Sequence, residues 1–358
     1  MTLILSNDDV EKLLTMDDAI DVLEKAYVEL AEGHGVSRTR SDSFTVTKRP
    51  DALYSLKSMD GIVPGLGVGA VRINSDIVTW PKDGGGARRV KVPSAPGNRY
   101  VGLVLLFSSE TGEPLAIFPD GIMQRIRVGA ANGLGAKYLA RADARSVGLI
   151  GSGWQAGTQV MAICAVRKIE IIRVFSPNKS NREAFAKEWS EKLKVNIVPV
   201  DSAEAAVKGS DIVMCATNVI EPVFFARWIE PGMHVSSIKR PEVEGAAIKR
   251  ADLCVVHSND GKPIHVLAKG IDVAEAREDG KGWGVAGDID FKTLPTLPHL
   301  ITGRTPRRSD PKQVTFFLNN IGLGYQFAAC GAVVYRKAKA AKMGHELPTD
   351  WFTEDVHP

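Results

Sequence analysis

The sequence predicts an α/β protein that contains a doubly wound parallel sheet. Short apolar strands alternate with helix-length segments between residues 147 and 258, which is the pattern of strands joined by crossover helices. A turn of mostly small residues, GSGWQAG at 151–157, separates the first of these strands from its helix. The preceding segment, 38–118, contains strand-like pieces divided by Gly, Pro and Asp, so we expect a second, strand-rich unit.

The composition is that of an ordinary globular protein. The chain has 358 residues, of which 44% are hydrophobic and 24% charged, and its formal net charge is +3. This near balance argues against a general nucleic-acid binder, and no apolar run approaches the roughly 18 residues of a membrane span. The acidic N-terminal segment MTLILSNDDVEKLL lacks the features of a secretory signal.

The cysteine pattern indicates a reducing compartment. The four cysteines are isolated within apolar segments, with no paired spacing that would suggest a zinc site or a disulfide framework. They are Cys164, Cys215, Cys254 and Cys330. We therefore expect buried free thiols in a cytoplasmic protein.

Helices are expected on both sides of the strand-rich segment. Polar residues 6–9 cap a helical pattern that stops at Gly33, either one helix or two joined near Met16. A second helix is predicted over 123–140, where many small residues would allow close packing. The strand-like pieces between them are SDSFTVT, ALYSLKSM, GVGAVRI, YVGLVLLFSS and PLAIFPDG. Within 80–97 we expect a mobile loop with solvated basic residues, namely Arg88, Arg89 and Lys91.

The parallel sheet is predicted to begin after residue 143. Its strands should cover 147–150, 169–176, 196–200, 211–217, 233–238 and 253–258, with helices over 155–166 and 181–194. The alternation of strands and helices is less regular over 259–312, where prolines and glycines accumulate. The last strong element, 314–343, is helical in composition from about Gly322, and the tail after Gly344 should be frayed or packed on a partner.

The turn at 151–157 has the spacing of a dinucleotide-binding loop. Gly151 would allow a tight reversal, Gly153 would let a pyrophosphate approach the backbone, and Ala156 would let the helix pack closely. The N–H groups of that helix favour phosphates. Such turns also occur in proteins that bind no nucleotide. The prediction of a dinucleotide site therefore depends on the surrounding βαβ pattern. Further candidates for cofactor contacts are Ser152, Trp154, Gln155 and, at a later strand end, Thr217.

The end of the second strand bears on the choice of cofactor. A carboxylate there would bind both ribose hydroxyls and repel a 2′-phosphate, but this chain has Ser176. The following SPNKSNR segment supplies Asn178, Lys179 and Arg182. The missing acid and the two cations favour NADP over NAD, with NAD still possible. The alternative is a capped helix start with exposed basic residues.

Three arginines are candidates for binding a substrate carboxylate: Arg40, Arg72 and Arg127. Arg72 has apolar neighbours in a strand, and Arg127 lies among small residues on a helix, where a buried cation needs an anionic partner. An arginine fork binds a carboxylate through two parallel hydrogen bonds. For each arginine taken singly, a structural salt bridge or an exposed side chain is the simpler interpretation. The residues alone do not show whether the three arginines lie close together in the fold.

Acids and histidines near the strand ends are weaker candidates. Glu242 and Glu244 follow the strand at 233–238, where a carboxylate could relay a proton to a reacting nitrogen. A solvated loop acid is the alternative for both. His234 and His257 lie in or beside apolar strands, and we expect both to be packed structural residues.

Several segments together resemble the ornithine cyclodeaminase/mu-crystallin family of NAD(P)-dependent enzymes. They are GLVLLFSSETGEPLAIFPDG, MQRIRVGAANGLGAKYLA, GLIGSGWQAGTQ, AEAAVKGSDIVMCAT, EPVFFARWIEPGMHVSSI and FFLNNIGLGYQFAA. The resemblance implies a Rossmann domain at 144–318 inserted into a strand-rich substrate and dimerisation domain built from 1–143 plus 319–358. It also implies that Arg40, Arg72 and Arg127 match the family's basic carboxylate-binding positions.

Two departures from the family pattern affect the expected chemistry. The family's catalytic aspartate after "HINAVG" has no counterpart in HVSSIKRPEVEG, where Glu242 is the nearest acid. A second acidic pair, in the "GxAxED" of the family's last helix, becomes Gly324-Tyr325-Gln326-Phe327 in this chain. Both changes argue against ornithine cyclisation, which must bind a distal ammonium group, but they leave hydride exchange at a carbon–nitrogen bond intact.

We therefore expect an NAD(P)-dependent reductase of a carboxylate-bearing imine, or an enzyme that catalyses the reverse amino-acid oxidation. Its substrate would be a small-molecule imino or amino acid. We expect a homodimer without nucleic-acid or membrane partners. Glu242 or a water molecule would deliver the proton. An amino-acid cyclodeaminase and a non-catalytic NADP-dependent binding protein of the mu-crystallin type are the alternatives.

Overall fold

The computed structural model describes residues 1–83, 86–87, 90–219, 221–239, 242–259, 263–271 and 289–355. It begins with strand β1 (Thr2–Ile4) and helices α1 (Asn7–Leu13) and α2 (Met16–Ala31). Both helices have capping boxes, because Ser6 accepts from the Asp9 N–H and Thr15 accepts from the Asp18 N–H, each at 3.1 Å. The second cap divides the N-terminal helical pattern into two helices, one of the two predicted arrangements.

The strand-rich segment that was predicted is present. It contains β2 (Val36–Ser37), β3 (Ser41–Val46), β4 (Ala52–Val63), β5 (Val68–Thr79), β6 (Lys82–Asp83), β7 (Gly86–Ala87), β8 (Val90–Val92), β9 (Val101–Ser108) and β10 (Pro114–Pro119). Part of the predicted loop is therefore strand, because β8 pairs with β5. The Lys91 side chain is 36% exposed, and its ammonium group also pairs with Asp76 at 3.0 Å. Arg88 and Arg89 lie outside the described residues.

The remaining elements follow helix α3 (Gly121–Leu139). The strands are β11 (Ser146–Ile150), β12 (Ile171–Phe175), β13 (Asn196–Pro199), β14 (Ile212–Cys215), β15 (His234–Ser237), β16 (Leu253–Val256), β17 (Ile264–Leu267), β18 (Thr315–Leu318) and β19 (His345–Leu347). The helices are α4 (Ala156–Val166), α5 (Lys179–Leu193), α6 (Ala203–Val207), α7 (Gly245–Lys249), α8 (Leu297–Ile301) and α9 (Gly324–Ala341).

Seven of these strands form an all-parallel, doubly wound sheet, as predicted. Their order is β13-β12-β11-β14-β15-β18-β16, so the strand order reverses between β11 and β14. Ligands of such sheets bind outside the carboxyl ends of the strands at this switch point. The sequence interpretation missed β18, which lies between β15 and β16 and forms part of the buried core.

The second sheet is mixed and joins both ends of the chain. Its main path is β17-β3-β4-β5-β9-β10-β1-β19, with β2 beside β4 and β8 beside β5. The C-terminal tail, which was expected to fray or to pack on a partner, instead pairs through β19 with β1 of the same chain. Strand β17 comes from within 144–318 yet pairs with β3, so this segment crosses to the sheet of the other predicted domain. No helix among the described residues is long and apolar enough to cross a bilayer.

One face of the β4–β5 hairpin changes from apolar to charged along its length. Near the turn this face carries buried Met59, Val68 and Ala70, and α9 packs against both strands. Farther along, the same face carries Lys57, Asn74 and Asp76, which are 4%, 3% and 3% exposed. Since buried charges require partners, this change marks where a polar site begins.

Helix α3 lies between the two sheets because its small residues permit close contact. A Cβ at Gly129 would lie 2.5 Å from the carbonyl oxygen of Thr158 on α4, and one at Gly135 would lie 2.5 Å from the Phe317 ring on β18. The close packing predicted from these glycines is therefore present, and it fixes the position of the arginines that α3 carries.

Candidate active site

The loop after β11 has the geometry expected for a dinucleotide phosphate. Gly151 has a φ of +112°, its N–H donates to the Phe175 carbonyl at 2.8 Å, and a Cβ there would overlap the Ala216 carbonyl. A Cβ at Gly153 would meet nothing within 4 Å, so the space above it is open. Only glycine suits the first position, while the second leaves room for a phosphate to approach the backbone.

Helices α4 and α5 make a very close contact at Gly157, one residue beyond Ala156. Ala156 is buried, but it is Gly157 whose added Cβ would overlap the Trp189 ring of α5. The sequence interpretation gave Ala156 the role of packing the helix against the strand and did not consider a contact between helices. The neighbouring Gly157 was visible in the sequence, but its partner Trp189 is 32 positions away and could not be inferred locally.

The end of β12 presents the predicted polar residues to the loop. The Ser152 hydroxyl donates to the Ser176 hydroxyl at 2.8 Å, and Asn178 caps α5 by accepting from the Asn181 N–H at 3.0 Å. Lys179 is exposed and lies 3.8 Å from Glu183.

Arg182 is held on two sides at this strand end. Its guanidinium donates to the Ser176 carbonyl at 3.0 Å and forms an ion pair with Asp201. The sequence interpretation did not include Asp201, which follows β13, the neighbour of β12 in the sheet. Arg182 is buried, whereas the Asp201 side chain is 95% exposed.

Helix α3 connects the glycine loop with the charged sheet face. The Arg125 guanidinium lies 5.5 Å from the centre of the Trp154 ring, which is 52% exposed. Asn319, just after β18, donates to the Val128 carbonyl at 3.3 Å. Arg127 lies between these contact points on the same helix, so it is near the carboxyl edge of the parallel sheet.

Arg72 and Arg127 converge on one aromatic ring. Their guanidinium carbons lie 5.4 and 5.0 Å from the centre of the Phe327 ring. Burial, together with the neighbouring charge of Arg72, lowers the pKa of Arg127 to about 9. Its Nη1 donates to the Gln326 side-chain oxygen at 2.9 Å, which is a neutral partner. The two cations are thus close together in a site that favours an anion.

A single carboxylate holds Arg72. Asp120 Oδ2 accepts from the Arg72 Nε at 2.7 Å and from the Asn74 amide at 2.9 Å. Gly102 makes room for this group, because a Cβ there would overlap the Asp120 carboxylate. The sequence interpretation missed Asp120, although it is the acid of the FPDG segment and directly precedes α3.

Arg40 lies on the same sheet face but does not contact the other two arginines. Ser41 pairs with Ser58 and Met59 pairs with Arg72, so the register continues to Arg40 two strands from Arg72. Its guanidinium donates to Asp42 at 2.8 Å. The structure therefore brings together two of the three predicted arginines, with the third roughly 10 Å along the face.

The charged face carries more positive than negative groups. The cations named on it are Arg40, Lys57, Arg72, Lys91 and Arg127, and the carboxylates are Asp42, Asp76 and Asp120. Five cations against three carboxylates leave an excess of two positive charges among these groups. An excess of this sign on a face that is largely shielded from solvent favours an anionic ligand.

Glu242 has a different environment from the one its predicted role requires. Its Oε1 accepts from the Thr217 N–H and hydroxyl at 2.5 and 2.7 Å, and its Oε2 accepts from the N–H groups of Ile238 and Lys239 at 3.0 Å each. Burial raises the pKa of this carboxyl, while these hydrogen bonds oppose the shift. In this geometry Glu242 ties together the loops after β14 and β15. Glu244 similarly accepts from the Ala226 N–H.

The two histidines are packed, as expected. His234 contacts the Thr315 hydroxyl at 2.9 Å, and burial with nearby arginines lowers its pKa to about 3. His257 contacts the Tyr27 hydroxyl at 2.7 Å, and burial lowers its pKa to about 4. Burial also raises the pKa of Tyr27 well above its usual range, and the charge of Arg127 and a hydrogen bond with Gln326 oppose that shift.

Comparison with known proteins places the chain among enzymes of one family. Residues 91–342 match the model of the ornithine cyclodeaminase/mu-crystallin family. The chain is 27% identical over 359 residues to alanine dehydrogenase of Archaeoglobus fulgidus, covering 97% of this chain and 98% of the relative. It is 26% identical over 356 residues to a Δ1-pyrroline-2-carboxylate reductase of Bacillus cereus, covering 96% and 99%.

A solved structure agrees with this sequence match over nearly the whole chain. It is that of Δ1-pyrroline-2-carboxylate reductase of Thermococcus litoralis, in complex with NADH and L-proline, which superposes with a TM-score of 0.79 at 28% identity. The superposition covers 97% of this chain and all of that one. The family match spans well over half of the sequence, and the chain belongs to the ornithine cyclodeaminase/mu-crystallin family.

Proposed function

We propose that the protein is an NAD(P)-dependent oxidoreductase that reduces the C=N bond of a carboxylate-bearing imine or oxidises the corresponding amino acid. The observation that carries this proposal is the convergence of buried Arg72 and Arg127 on the Phe327 ring, with Asp120 as their nearby carboxylate. Relatives named as pyrroline-2-carboxylate reductase and alanine dehydrogenase support the same class of substrate. The free thiols support the predicted cytoplasmic location.

The glycine loop fits a dinucleotide cofactor. The open space above Gly153 and the start of α4 suit a pyrophosphate, which the backbone of this loop would bind. When bound, the cofactor would supply or accept the hydride. The residues proposed to hold it are Gly151, Ser152, Gly153, Trp154, Gln155, Ala156, Ser176, Asn178, Lys179, Arg182 and Thr217.

The arginines would hold the substrate through its carboxylate. Asp120 and Asn74 already fix Arg72, so binding requires little rearrangement of that side chain. Within the described part of the chain, the Arg127 guanidinium has the neutral Gln326 side chain as its one hydrogen-bond partner, and its charge is free to pair with an anion. Holding the imine carbon in a fixed orientation removes much of the entropic barrier to reaction. We assign Arg40 to the outer part of the same site.

We assign proton delivery to a water molecule, the second of the two donors expected from the sequence. Four N–H and O–H donors occupy the Glu242 carboxylate, so turning it toward a substrate would break several hydrogen bonds. Each buried donor left unpaired costs about 1–3 kcal/mol. Glu242 would act instead by fixing the loops that face the cofactor.

The surroundings of Arg127 favour a substrate without a distal ammonium group. Gln326 is uncharged, Phe327 is aromatic, and Arg72 would repel a second cation. An uncharged side chain or ring next to the carboxylate fits this site better. We therefore favour a cyclic imino acid or a simple amino acid over ornithine.

We further propose that the enzyme prefers NADP. Ser176 leaves the ribose position without a carboxylate, and Lys179 and Arg182 lie beside it. Asp201 now pairs with Arg182, but the Asp201 side chain is exposed and a 2′-phosphate could replace it at little cost.

We also propose that two copies of the chain associate through the outer face of the mixed sheet. This face, opposite the charged one, carries apolar side chains that are about two-fifths exposed. Leu56 and Ile62 are each 42% exposed, Val101 is 40% and Leu103 is 39%. Exposed apolar side chains gathered on one sheet face are typical of an interface between proteins.

The test of the function is NADPH and NADH oxidation with Δ1-pyrroline-2-carboxylate, related cyclic imines, and pyruvate plus simple amines. Arg127→Ala should lower kcat/KM by about thirtyfold to several thousandfold, because losing a buried charge pair costs about 2–5 kcal/mol, while the Kd of NADPH stays the same. Unchanged turnover would refute the carboxylate site. Ammonia release from ornithine without net cofactor oxidation would favour the cyclodeaminase alternative. No turnover with any imine would favour the binding protein.

A further inference from the structure

The two buried arginines differ in which edge of the guanidinium group is occupied. In Arg72 the Nε and Nη2 atoms lie 2.7 and 2.6 Å from Asp120 Oδ2, so this carboxylate lies along the edge that the two atoms share. An arginine that binds a carboxylate side-on through two parallel N–H groups uses the same edge. The protein's own Asp120 therefore takes the side-on position of Arg72, and Nη1, which points away from this edge, remains for a ligand.

In Arg127 the corresponding edge is open. Nη1 donates to Gln326 Oε1 at 2.9 Å, whereas among the described residues neither Nε nor Nη2 has a hydrogen-bond partner. The Nε atom is buried, and the whole residue is 5% exposed. A buried N–H group without an acceptor is costly and calls for a ligand. The open edge is thus a position for an anion that the structure leaves to another molecule.

Gln326 holds the opposite side of the Arg127 guanidinium. Its Oε1 also accepts from the Leu323 N–H at 3.1 Å, and its Nε2 donates to the Arg127 carbonyl at 3.3 Å. The amide is therefore oriented at both ends, and Nη1 has a fixed acceptor. Because Nη1 is already bonded, a carboxylate that binds Arg127 with two hydrogen bonds must approach along the Nε–Nη2 edge.

Gly322 leaves the space in which this guanidinium lies. A Cβ at Gly322 would overlap Arg127 Nη1 and would lie 2.8 and 2.9 Å from its Nη2 and Cζ. Gly322 is not one of the glycines with positive φ, so its backbone conformation is open to other residues. The atoms in the way belong to the end of a long side chain. A methyl group here would therefore displace the guanidinium rather than the fold.

We propose that Arg127 binds the substrate carboxylate side-on through Nε and Nη2, that Arg72 adds a single hydrogen bond through Nη1, and that Gly322 is a positioning residue for Arg127. This inference rests on the proposed function, since it assigns the anion to these arginines. It adds unequal roles for the two arginines and restricts the ligand to a free carboxylate, because an ester or amide of the same acid offers no pair of equivalent oxygens.

The first test compares two arginine-to-lysine variants of the full-length protein. The probe is pyrrole-2-carboxylate, a planar acid without a reducible C=N bond, titrated by calorimetry in the presence of NADPH. Arg127→Lys should raise its Kd about thirtyfold, because an ammonium group cannot form two parallel hydrogen bonds with one carboxylate. Arg72→Lys should raise it about threefold, since a point charge can replace one Nη1 contact. Equal increases, or a larger one for Arg72→Lys, would overturn the proposal.

A double-mutant cycle tests the role of Gly322. Gly322→Ala should raise the Kd of pyrrole-2-carboxylate about tenfold in the wild-type background but less than about twofold in Arg127→Lys, which has no Nη atoms to displace. Loss of a purely structural glycine would have the same effect in both backgrounds. Gly69→Ala is the matched control, because a Cβ there meets Ile62 at an ordinary 3.6 Å and should leave the Kd unchanged. Additive effects, or equal Kd values for the two alanine variants, would contradict the positioning role.

A measurement without turnover separates this inference from the proposed function. In protein with labelled arginine, the Arg127 Nε–H resonance, identified by its absence in Arg127→Lys, should move downfield when pyrrole-2-carboxylate is added. The neutral pyrrole-2-carboxamide should not move it. The shift in a protein that reduces no imine would refute the reductase and support side-on binding. A resonance that stays in place at saturating acid, or a wild type that does not bind the acid, would refute side-on binding whatever the activity.

Discussion

At the scale of single residues, the guanidinium of Arg182, which contacts both Ser176 and Asp201, should determine the preference between NADP and NAD. Asp201→Asn would release Arg182 from its ion pair, and the freed side chain could bind a 2′-phosphate. We expect the ratio of the Kd for NADH to that for NADPH to rise about tenfold, as one charge-assisted hydrogen bond allows. Fluorescence titration with both cofactors measures this ratio.

Lys179→Ala should move the same ratio in the opposite direction, which makes it the companion variant. Lys179 is exposed and paired only loosely with Glu183 at 3.8 Å, so its loss should not affect folding. If both variants change the two Kd values equally, the strand end does not recognise the 2′-phosphate and the NADP preference is wrong.

Replacing Glu242 distinguishes a structural role of this buried carboxylate from a role in proton transfer. In Glu242→Gln the amide nitrogen would oppose the N–H donors of Ile238 and Lys239 or of Thr217. We expect the free energy of unfolding to fall by about 2–3 kcal/mol. The pH dependence of kcat in the folded variant should keep its wild-type shape, because the carboxylate does not donate the proton. Loss of one limb of that profile would restore Glu242 as the proton donor.

Site residues that depend on local sequence were predicted, and those that depend on distant partners were not. Gly151 and Gly153 could be identified because the turn between a strand and its helix is encoded within a few positions. Asp120 was missed, since its partner Arg72 is 48 positions away and the contact requires the β5 and α3 geometry. The role of Glu242 depends on backbone N–H groups, which a sequence pattern does not display.

At the scale of secondary structure, the alternation of apolar strands with helices located most of the parallel sheet. Strand β18 was missed because TFFL is short and apolar and leads directly into the segment before α9, and such a run cannot be told from buried helix by periodicity. Its place between β15 and β16 depends on a return of the chain after an irregular stretch. The crossing of β17 to the other sheet left no periodic pattern either.

Two glycines of one loop should respond differently to the same substitution. Gly157→Ala places a methyl group into the Trp189 ring, so we expect a loss of about 1–3 kcal/mol in the free energy of unfolding. Gly153→Ala meets no atom within 4 Å and should keep its stability to within about 0.5 kcal/mol. Its methyl group would instead obstruct the pyrophosphate and raise the Kd of NADPH about tenfold.

Urea unfolding and cofactor titration of the two glycine variants distinguish the roles of packing and binding. If Gly153→Ala binds NADPH with wild-type affinity, the open space above the loop is not the phosphate site. If Gly157→Ala is as stable as the wild type, α4 and α5 must move apart at little cost.

At the scale of the whole molecule, the outer face of the mixed sheet should control the oligomeric state. Leu103→Glu introduces a charge into the apolar face, where Leu103 is 39% exposed. We expect the wild type to elute as a dimer and this variant as a monomer in size-exclusion chromatography with light scattering, because a charge buried at an interface is costly. Val198→Glu, on the edge strand β13 and 36% exposed, is the control and should remain dimeric. A monomeric wild type would exclude this interface.

Two buried histidines give the molecule a predictable sensitivity to acid. The pKa of His257 is lowered to about 4 and that of His234 to about 3, in both cases chiefly by burial. In the unfolded chain both groups titrate near about 6.5. Between these limits the unfolded state binds more protons, so stability must fall as the pH drops below about 6.5. Glu242, whose pKa burial raises, opposes this trend because its folded form takes up a proton more readily.

We expect the free energy of unfolding to decrease by a few kcal/mol between about pH 7 and pH 4.5, on the order of 1.4 kcal/mol per pKa unit for each histidine. His234→Asn keeps a polar atom near Thr315 and should flatten this dependence, since only one depressed histidine remains. His34→Asn is the control, because the His34 side chain is 73% exposed and its replacement leaves both buried histidines in place. Urea titrations across this pH range measure the free energy of unfolding of all three proteins. Constant wild-type stability over this interval, or equal slopes in the two variants, would mean that the buried histidines take up protons without opposing the fold.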